Sequence, residues 1–271
     1  MSKFRKKPNK LTVTLIIVAV LLVALLAGML IFLGGSGEEP AEPTVPPTEA
    51  AGTEAPTDPT EPTETIPVET EPVMLAHMAE LYAKNQDVAG WVRIDGTKID
   101  YPFVYTPEDY EKYLYMDLDG NYSYAGTVIM DQRCTDEPES TNVLLHGHNM
   151  KNGTMFKSLM NYVNKSYWEE HPTIYYSNLY EEREYMIIAA FYDQVYKKTD
   201  TCFKFYEFIE PQSEEEFNEG IAYFKDRAEY DTGMTAEYGD RLLMLSTCSY
   251  HLSGADGRFV VVAREMNKQA D

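Results

Sequence analysis

The polar and apolar positions divide this chain into three unlike stretches. Residues 11–33 form a run of 23 without a single charge. As a helix, rising about 1.5 Å per residue, the run reaches about 34 Å, enough for a bilayer core of about 30 Å. In residues 34–72 apolar side chains are sparse and Pro, Thr and Glu dominate. From Val73 onward the pattern is that of a folded domain. Residues 74–85, MLAHMAELYAKN, carry apolar side chains at helical spacing and predict one amphipathic helix. Short apolar or alternating runs follow at 90–94, 101–105, 126–130, 141–146, 173–177, 184–192, 241–246 and 258–264, separated by turn residues. Such runs predict half-buried strands.

Between the strands, residues 155–162 and 165–172 predict short helices or helical turns. Ser213-Glu214-Glu215-Glu216 opens a helix expected to run to about Ala228. Ser213 can cap it, Glu216 completes a capping box, and the early acids suit the positive helix end. Many short strands with interrupting helices predict a mainly β domain. Its expected form is a closed antiparallel barrel with an N-terminal helix and a helix inserted between late strands. The chain shows no internal repeat.

Charge orients the first two stretches. Lys3, Arg5, Lys6, Lys7 and Lys10 precede the apolar run, and no basic residue follows it until Lys84. The positive-inside bias places residues 1–10 in the cytoplasm and everything after the 11–33 anchor outside the cell. A cleaved signal peptide is the alternative, but the run exceeds the usual h-region of about 7–15 residues. Residues 34–72 hold ten acids and no base. They cannot bury enough apolar surface to offset ordering entropy, so they predict a disordered linker. The remaining 199 residues, 73–271, suit one extracellular domain. Of the net −21, the tail contributes +5 and the linker −10, which leaves −16 on the domain. That acidity excludes nucleic acid as a partner, since phosphate contacts need Lys and Arg clusters.

The three cysteines, Cys134, Cys202 and Cys248, are an odd number for an exported chain. Cys134 and Cys202 both read as loop residues. A bridge between them is open. No pair has metal-ligand spacing and the histidines form no zinc pattern, so no metal or cofactor is expected.

Cys248 is the most informative residue. It ends Leu245-Ser246-Thr247-Cys248, and Arg258 begins the apolar run ten residues later. Adjacent strands joined by a loop would bring thiol and guanidinium to the same rim. Leu144-Leu145-His146-Gly147-His148-Asn149-Met150 is a Gly-containing turn after its own apolar strand, and supplies an imidazole. Thiol, imidazole and guanidinium are the parts needed for acyl transfer through a thioester. His146 and His148 would face the same way on a continued strand, so periodicity does not choose between them.

Taken in this order, the LSTC motif, residues 142–150, the continuation Asn152-Gly153-Thr154-Met155-Phe156 and the ten-residue step from Cys248 to Arg258 resemble a sortase. Sortases are cysteine transpeptidases of the Gram-positive cell surface. Gly90-Trp91-Val92-Arg93-Ile94 and Thr97-Lys98-Ile99-Asp100-Tyr101-Pro102 bring the resemblance closest to class B, and the likeness spans roughly residues 74–265. The inserted late helix and the N-terminal helix fit the class B elaboration of the sortase barrel. The resemblance implies Cys248 as nucleophile, which would keep that thiol out of any disulfide. It implies His148, before Asn149-Met150, as acid and base, and Arg258 as the donor to the oxyanion. His146 falls where the family often has an aromatic residue lining the site. Ser246 and Thr247 fall at substrate-contact positions, or are hydroxyls satisfied within their strand. His251 reads as a loop residue.

The function implied is cleavage of a C-terminal sorting motif of exported proteins, with transfer of the acyl group to a peptidoglycan precursor or cell-wall peptide amine. A pilin-polymerising sortase is the alternative enzyme. Against it stand the lack of an Asp-Pro-aromatic lid segment and of a second transmembrane run. A non-catalytic surface-binding module is the alternative from another class, disfavoured by the intact Cys248, His148 and Arg258 set.

Overall fold

The computed structural model of the protein describes residues 72–136, 139–252 and 254–266. The expected tail, membrane anchor and nearly all of the linker lie outside these residues. Among the described residues no helix is long and apolar enough to cross a membrane.

Eight strands close into a barrel in the order β1-β2-β3-β4-β7-β8-β6-β5. They are β1 (Val88–Arg93), β2 (Asp100–Val104), β3 (Val128–Met130), β4 (Asn142–His146), β5 (Thr173–Ser177), β6 (Glu182–Gln194), β7 (Leu242–Cys248) and β8 (Gly257–Glu265). Every expected strand is present, with ends shifted by a few residues. The expectation of an antiparallel barrel needs one correction. Six of the joints are antiparallel, but β2 meets β3 and β4 meets β7 in parallel. Local pattern marks a strand without naming its neighbour. The partner of β4 begins at Leu242, opposite Asn142, after a crossover that contains β5, β6 and two α-helices.

Strands β4 and β7 are buried almost throughout, which is why both read as unbroken apolar runs rather than alternations. A 3-10 helix, Phe156–Val163, buries Phe156, Leu159 and Tyr162 on the barrel side that β7 and β8 form. Helix α1 (Ala76–Lys84) turns Met78 inward to a small second core with Val88, Val104, Tyr113 and Ile129. Helix α2 is the short Lys165–Glu170. Helix α3 (Glu214–Arg227) lies between β6 and β7 in the chain. The Ser213 hydroxyl accepts from the Glu216 amide at 3.2 Å, as the capping box requires. The Glu216 carboxylate reaches one residue further back than expected and accepts from the Gln212 amide at 2.8 Å. The helix buries Phe217, Ile221 and Phe224, with the Phe224 ring stacked 5.7 Å from Phe191 of β6.

Cys134, Cys202 and Cys248 are all free thiols, so no Cys134–Cys202 bridge forms. Cys134 lies in the expected loop between β3 and β4, but the loop turns it inward. Its side chain is buried, its sulfur accepts from the Leu144 amide at 3.4 Å, and burial pushes the thiol up to about 12. A thiol held neutral in this way is a packing group and a poor nucleophile.

Candidate active site

Two strand pairings assemble one rim of the barrel. In the parallel β4/β7 joint His146 stands opposite Ser246, and in the antiparallel β7/β8 joint Cys248 stands opposite Arg258. His148 follows His146 by two residues. All six residues singled out by sequence, His146, His148, Ser246, Thr247, Cys248 and Arg258, line one cavity of about 380 Å³. A larger concavity of about 800 Å³ lies across β1, β5 and β6, walled by Trp91, Tyr175 and Glu184, and none of the six residues lines it.

Hydrogen bonds tie the histidine turn to the cysteine strand. The Gly147 amide donates to the Ser246 carbonyl at 3.1 Å, and the Thr247 hydroxyl donates to the Gly147 carbonyl at 2.7 Å. The Asn149 side-chain amide donates to the Cys248 carbonyl at 2.7 Å. Only glycine fits at 147. A Cβ built there would lie 2.6 Å from Cγ of the buried Phe156 ring. The turn therefore presses flat on the core, and His148 follows it into the cavity that Cys248 also lines.

The two imidazoles have different partners. His148 Nε2 lies 2.8 Å from the Leu114 carbonyl, which can only accept, so that nitrogen carries a hydrogen and Nδ1 holds the lone pair of the neutral ring. The Tyr115 ring stacks on His148 at 5.5 Å. His146 Nε2 lies 2.9 Å from Asp131 Oδ2, and Arg133 Nη1 holds the same carboxylate at 2.9 and 3.0 Å. Burial raises the Asp131 pKa, but His146 and Arg133 outweigh it and hold the carboxyl below its ordinary value. Asp131, Arg133 and the Leu114–Tyr115 pair escaped the sequence reading. Asp131 follows the Val128–Met130 run as His146 ends its own, and the antiparallel β3/β4 joint alone reveals that this acid and this base meet.

The hydroxyls of the LSTC motif divide. Thr247 is spent on Gly147, whereas buried Ser246 Oγ finds no hydrogen-bond partner among the described residues. The guanidinium of Arg258 rests on its own loop, Nη1 donating to the Ala255 and Gly257 carbonyls at 2.8 and 2.9 Å. His251 is exposed, hydrogen-bonded to Ser249 Oγ and packed on Tyr192, and does not line the cavity.

A thiol, two imidazoles and a guanidinium at one end of a closed barrel are the equipment of a cysteine acyltransferase. Comparison with known proteins specifies the class. The sortase domain profile matches residues 92–266. Sortase B of Listeria monocytogenes is 30% identical over 191 residues, covering 70% of this chain and 74% of that protein. The crystal structure of sortase B from B. anthracis superposes with a TM-score of 0.61 at 28% identity, covering 73% of this chain and 90% of that one. A Staphylococcus aureus sortase B–substrate complex matches the fold with a TM-score of 0.63 at 24% identity, over 72% of this chain and 86% of that one. The chain belongs to the sortase family and is a class B-like cysteine transpeptidase.

Proposed function

We propose that Cys248 is the nucleophile, His148 the acid and base, and Arg258 the oxyanion donor of a sortase that anchors exported proteins to the cell wall. The observation that supports this reading is the meeting of the three groups in one cavity, His148 coming from a turn a hundred residues before Cys248 and Arg258. In the forward half, the Cys248 thiolate attacks the carbonyl carbon of the scissile peptide bond. The C–S bond forms, the oxyanion takes hydrogen bonds from Arg258, and the C–N bond breaks as His148 gives a proton to the leaving amine. In the second half an amine attacks the thioester, His148 takes its proton, and the C–S bond breaks to return the thiolate. Water in place of the amine gives hydrolysis.

Arg258 would exchange its carbonyl contacts at Ala255 and Gly257 for the substrate. Ser246 offers an uncommitted buried hydroxyl to the bound peptide. His146, held by Asp131, shapes the same wall. The substrate is a C-terminal sorting motif of an exported protein, the acceptor a cell-wall peptide amine. The charge-free 11–33 run would anchor the enzyme at the membrane with its domain outside.

The test is mass spectrometry of the protein incubated with a small library of sorting-motif peptides. A thioester adduct on Cys248 is the expected result. A reactive protein that carries its adduct elsewhere, or carries none, refutes the assignment.

A further inference from the structure

The segment between β2 and β3 does two things at once. Its Leu114 carbonyl fixes His148, and it presents tyrosines to solvent. Tyr115 stacks on His148, and Tyr122 and Tyr124 stand 6.5 and 6.1 Å from Tyr115, ring centre to ring centre. Tyr122 is 79% and Tyr124 69% exposed. The rings thus run as a ladder from open solvent to the imidazole that shares a cavity with Cys248. Contiguous exposed aromatic surface in a soluble domain marks a contact site.

The platform is built on a rigid turn. Asp117 Oδ1 accepts from the amides of Asp119 and Asn121 at 3.0 and 2.8 Å, and Ser123 N donates to the Tyr115 carbonyl at 3.0 Å. Tyr113, one end of the segment, is anchored from below by Asn85 and Asp87 at 2.7 and 2.8 Å. Gly126, at φ +59°, lies so close beneath that a Cβ would meet the Leu114 carbonyl at 2.5 Å. The tyrosines are therefore held in place rather than carried on a loose loop.

Charge indicates the ligand. Residues 105–127 hold Glu108, Asp109, Glu111, Asp117 and Asp119 against one base, Lys112, which is itself paired with Asp87. Glu111 lines the same cavity as Cys248 and His148. An aromatic ladder on a segment whose five acids outnumber its one base suits a cation, because the ring faces are negative and the segment's formal charge is negative too, although Arg133 and Arg258 also line the cavity.

We propose that Tyr115, Tyr122 and Tyr124, with Glu111 at the cavity wall, form an acceptor subsite that captures a protonated primary amine and passes it to His148. The inference rests on the proposed role of His148 in exchanging a proton with the acceptor amine. A protonated amine cannot attack the thioester: the captured ammonium first gives one proton to solvent, the neutral amine attacks, and His148 takes the second proton as the C–S bond breaks, so a subsite that concentrates the amine at the ring stacked on His148 serves the second half-reaction.

The test uses the full chain, a peptide that acylates Cys248, and glycinamide as the acceptor. The partition of acyl-enzyme between glycinamide and water is read by mass spectrometry across a glycinamide series. For the Tyr122→Ala/Tyr124→Ala double variant, the glycinamide concentration giving half-maximal transfer is expected to rise about tenfold, the scale of two exposed cation–π contacts. Tyr122→Phe/Tyr124→Phe, which keeps the ring faces, stays within about twofold. Tyr238→Ala removes an exposed ring away from the cavity and leaves the partition at the wild-type value. Raising salt from about 0.05 M to about 0.5 M weakens wild-type capture, because screening weakens the carboxylate field. An unmoved half-maximal concentration in the alanine pair, an equal loss in the phenylalanine pair, or indifference to salt overturns the subsite. A wild type that forms no thioester overturns the reading of the site itself, a result separable from the others because it appears before glycinamide is added.

Discussion

Gly147→Ala is a one-methyl test of how the histidine turn is positioned. The added Cβ would lie 2.6, 2.8 and 2.9 Å from Cγ, Cδ2 and Cδ1 of Phe156. These atoms are the root of the ring and not its free end, so no rotation of Phe156 clears them. The ring is fully buried, and its own amide donates to the His148 carbonyl at 3.0 Å. Two responses remain. Phe156 sinks into a filled core, or the 147–148 backbone lifts from β7 and strains the Gly147–Ser246 and Thr247–Gly147 hydrogen bonds. Overpacking of this kind costs about 1–3 kcal/mol. For a domain of this size that lowers Tm by about 3–10 °C.

Activity should suffer more than stability. A lift of about 1 Å at His148 misaligns the group proposed as proton donor, and misplacement on that scale costs on the order of a hundredfold in rate. The assay is single-turnover acylation of Cys248 by a saturating peptide, beside a thermal melt. Adding Phe156→Ala removes Cγ and both Cδ atoms that the new Cβ meets and, relative to Phe156→Ala alone, is expected to recover part of the lost rate, which gives a coupling of about 1–2 kcal/mol in the double-mutant cycle. A Gly147→Ala variant that melts and acylates like wild type would refute the account of the turn, as would a Phe156→Ala background that recovers nothing.

Further outcomes follow from the same geometry. His148→Ala is expected to lower turnover by about a hundredfold or more, and His146→Ala by much less, because only His148 is assigned the proton transfer; reversed losses in steady-state kinetics would exchange their roles. Arg258→Lys keeps the charge but loses the planar fork, so acylation is expected to fall by about 10²–10³ with peptide affinity less affected, and an unchanged acylation rate would make Arg258 a surface residue. Asp131 has a native pKa below its unfolded value. Its stabilisation is therefore present above about pH 4 and lost as pH falls through the lower native value, so Asp131→Asn should flatten the acid limb of stability measured by denaturant melts. The Glu139 carboxylate accepts from Arg183, Arg241 and the buried Tyr176 hydroxyl, so Glu139→Ala should cost about 1–3 kcal/mol in a urea titration, Arg183 keeping Glu181 and Glu265 as partners.

The residues of the site were legible one by one because each ends or begins an apolar run. Burial on both faces writes β4, β7 and β8 into the sequence as continuous hydrophobic stretches, and chemistry at their ends stands out against them. The ten-residue step from Cys248 to Arg258 is short enough to imply a hairpin, and the two do pair across β7 and β8. Helix α3 was equally readable, since its cap and its acidic first turn act within four residues. Which strands are neighbours was decided only in three dimensions. The parallel β4/β7 joint, which places His146 beside Ser246, spans a hundred positions and depends on the total packing of the barrel. The same holds for Cys134, set in a polar stretch of sequence yet buried because its loop folds under β4. Asp131 meets His146, and Leu114 and Tyr115 meet His148, only through tertiary contacts, and no local pattern encodes such a meeting. Hydrophobic periodicity is a property of neighbours in the chain and determined the elements and the rim residues. The partners that orient the imidazoles are neighbours in space, and only closure of the barrel selected them.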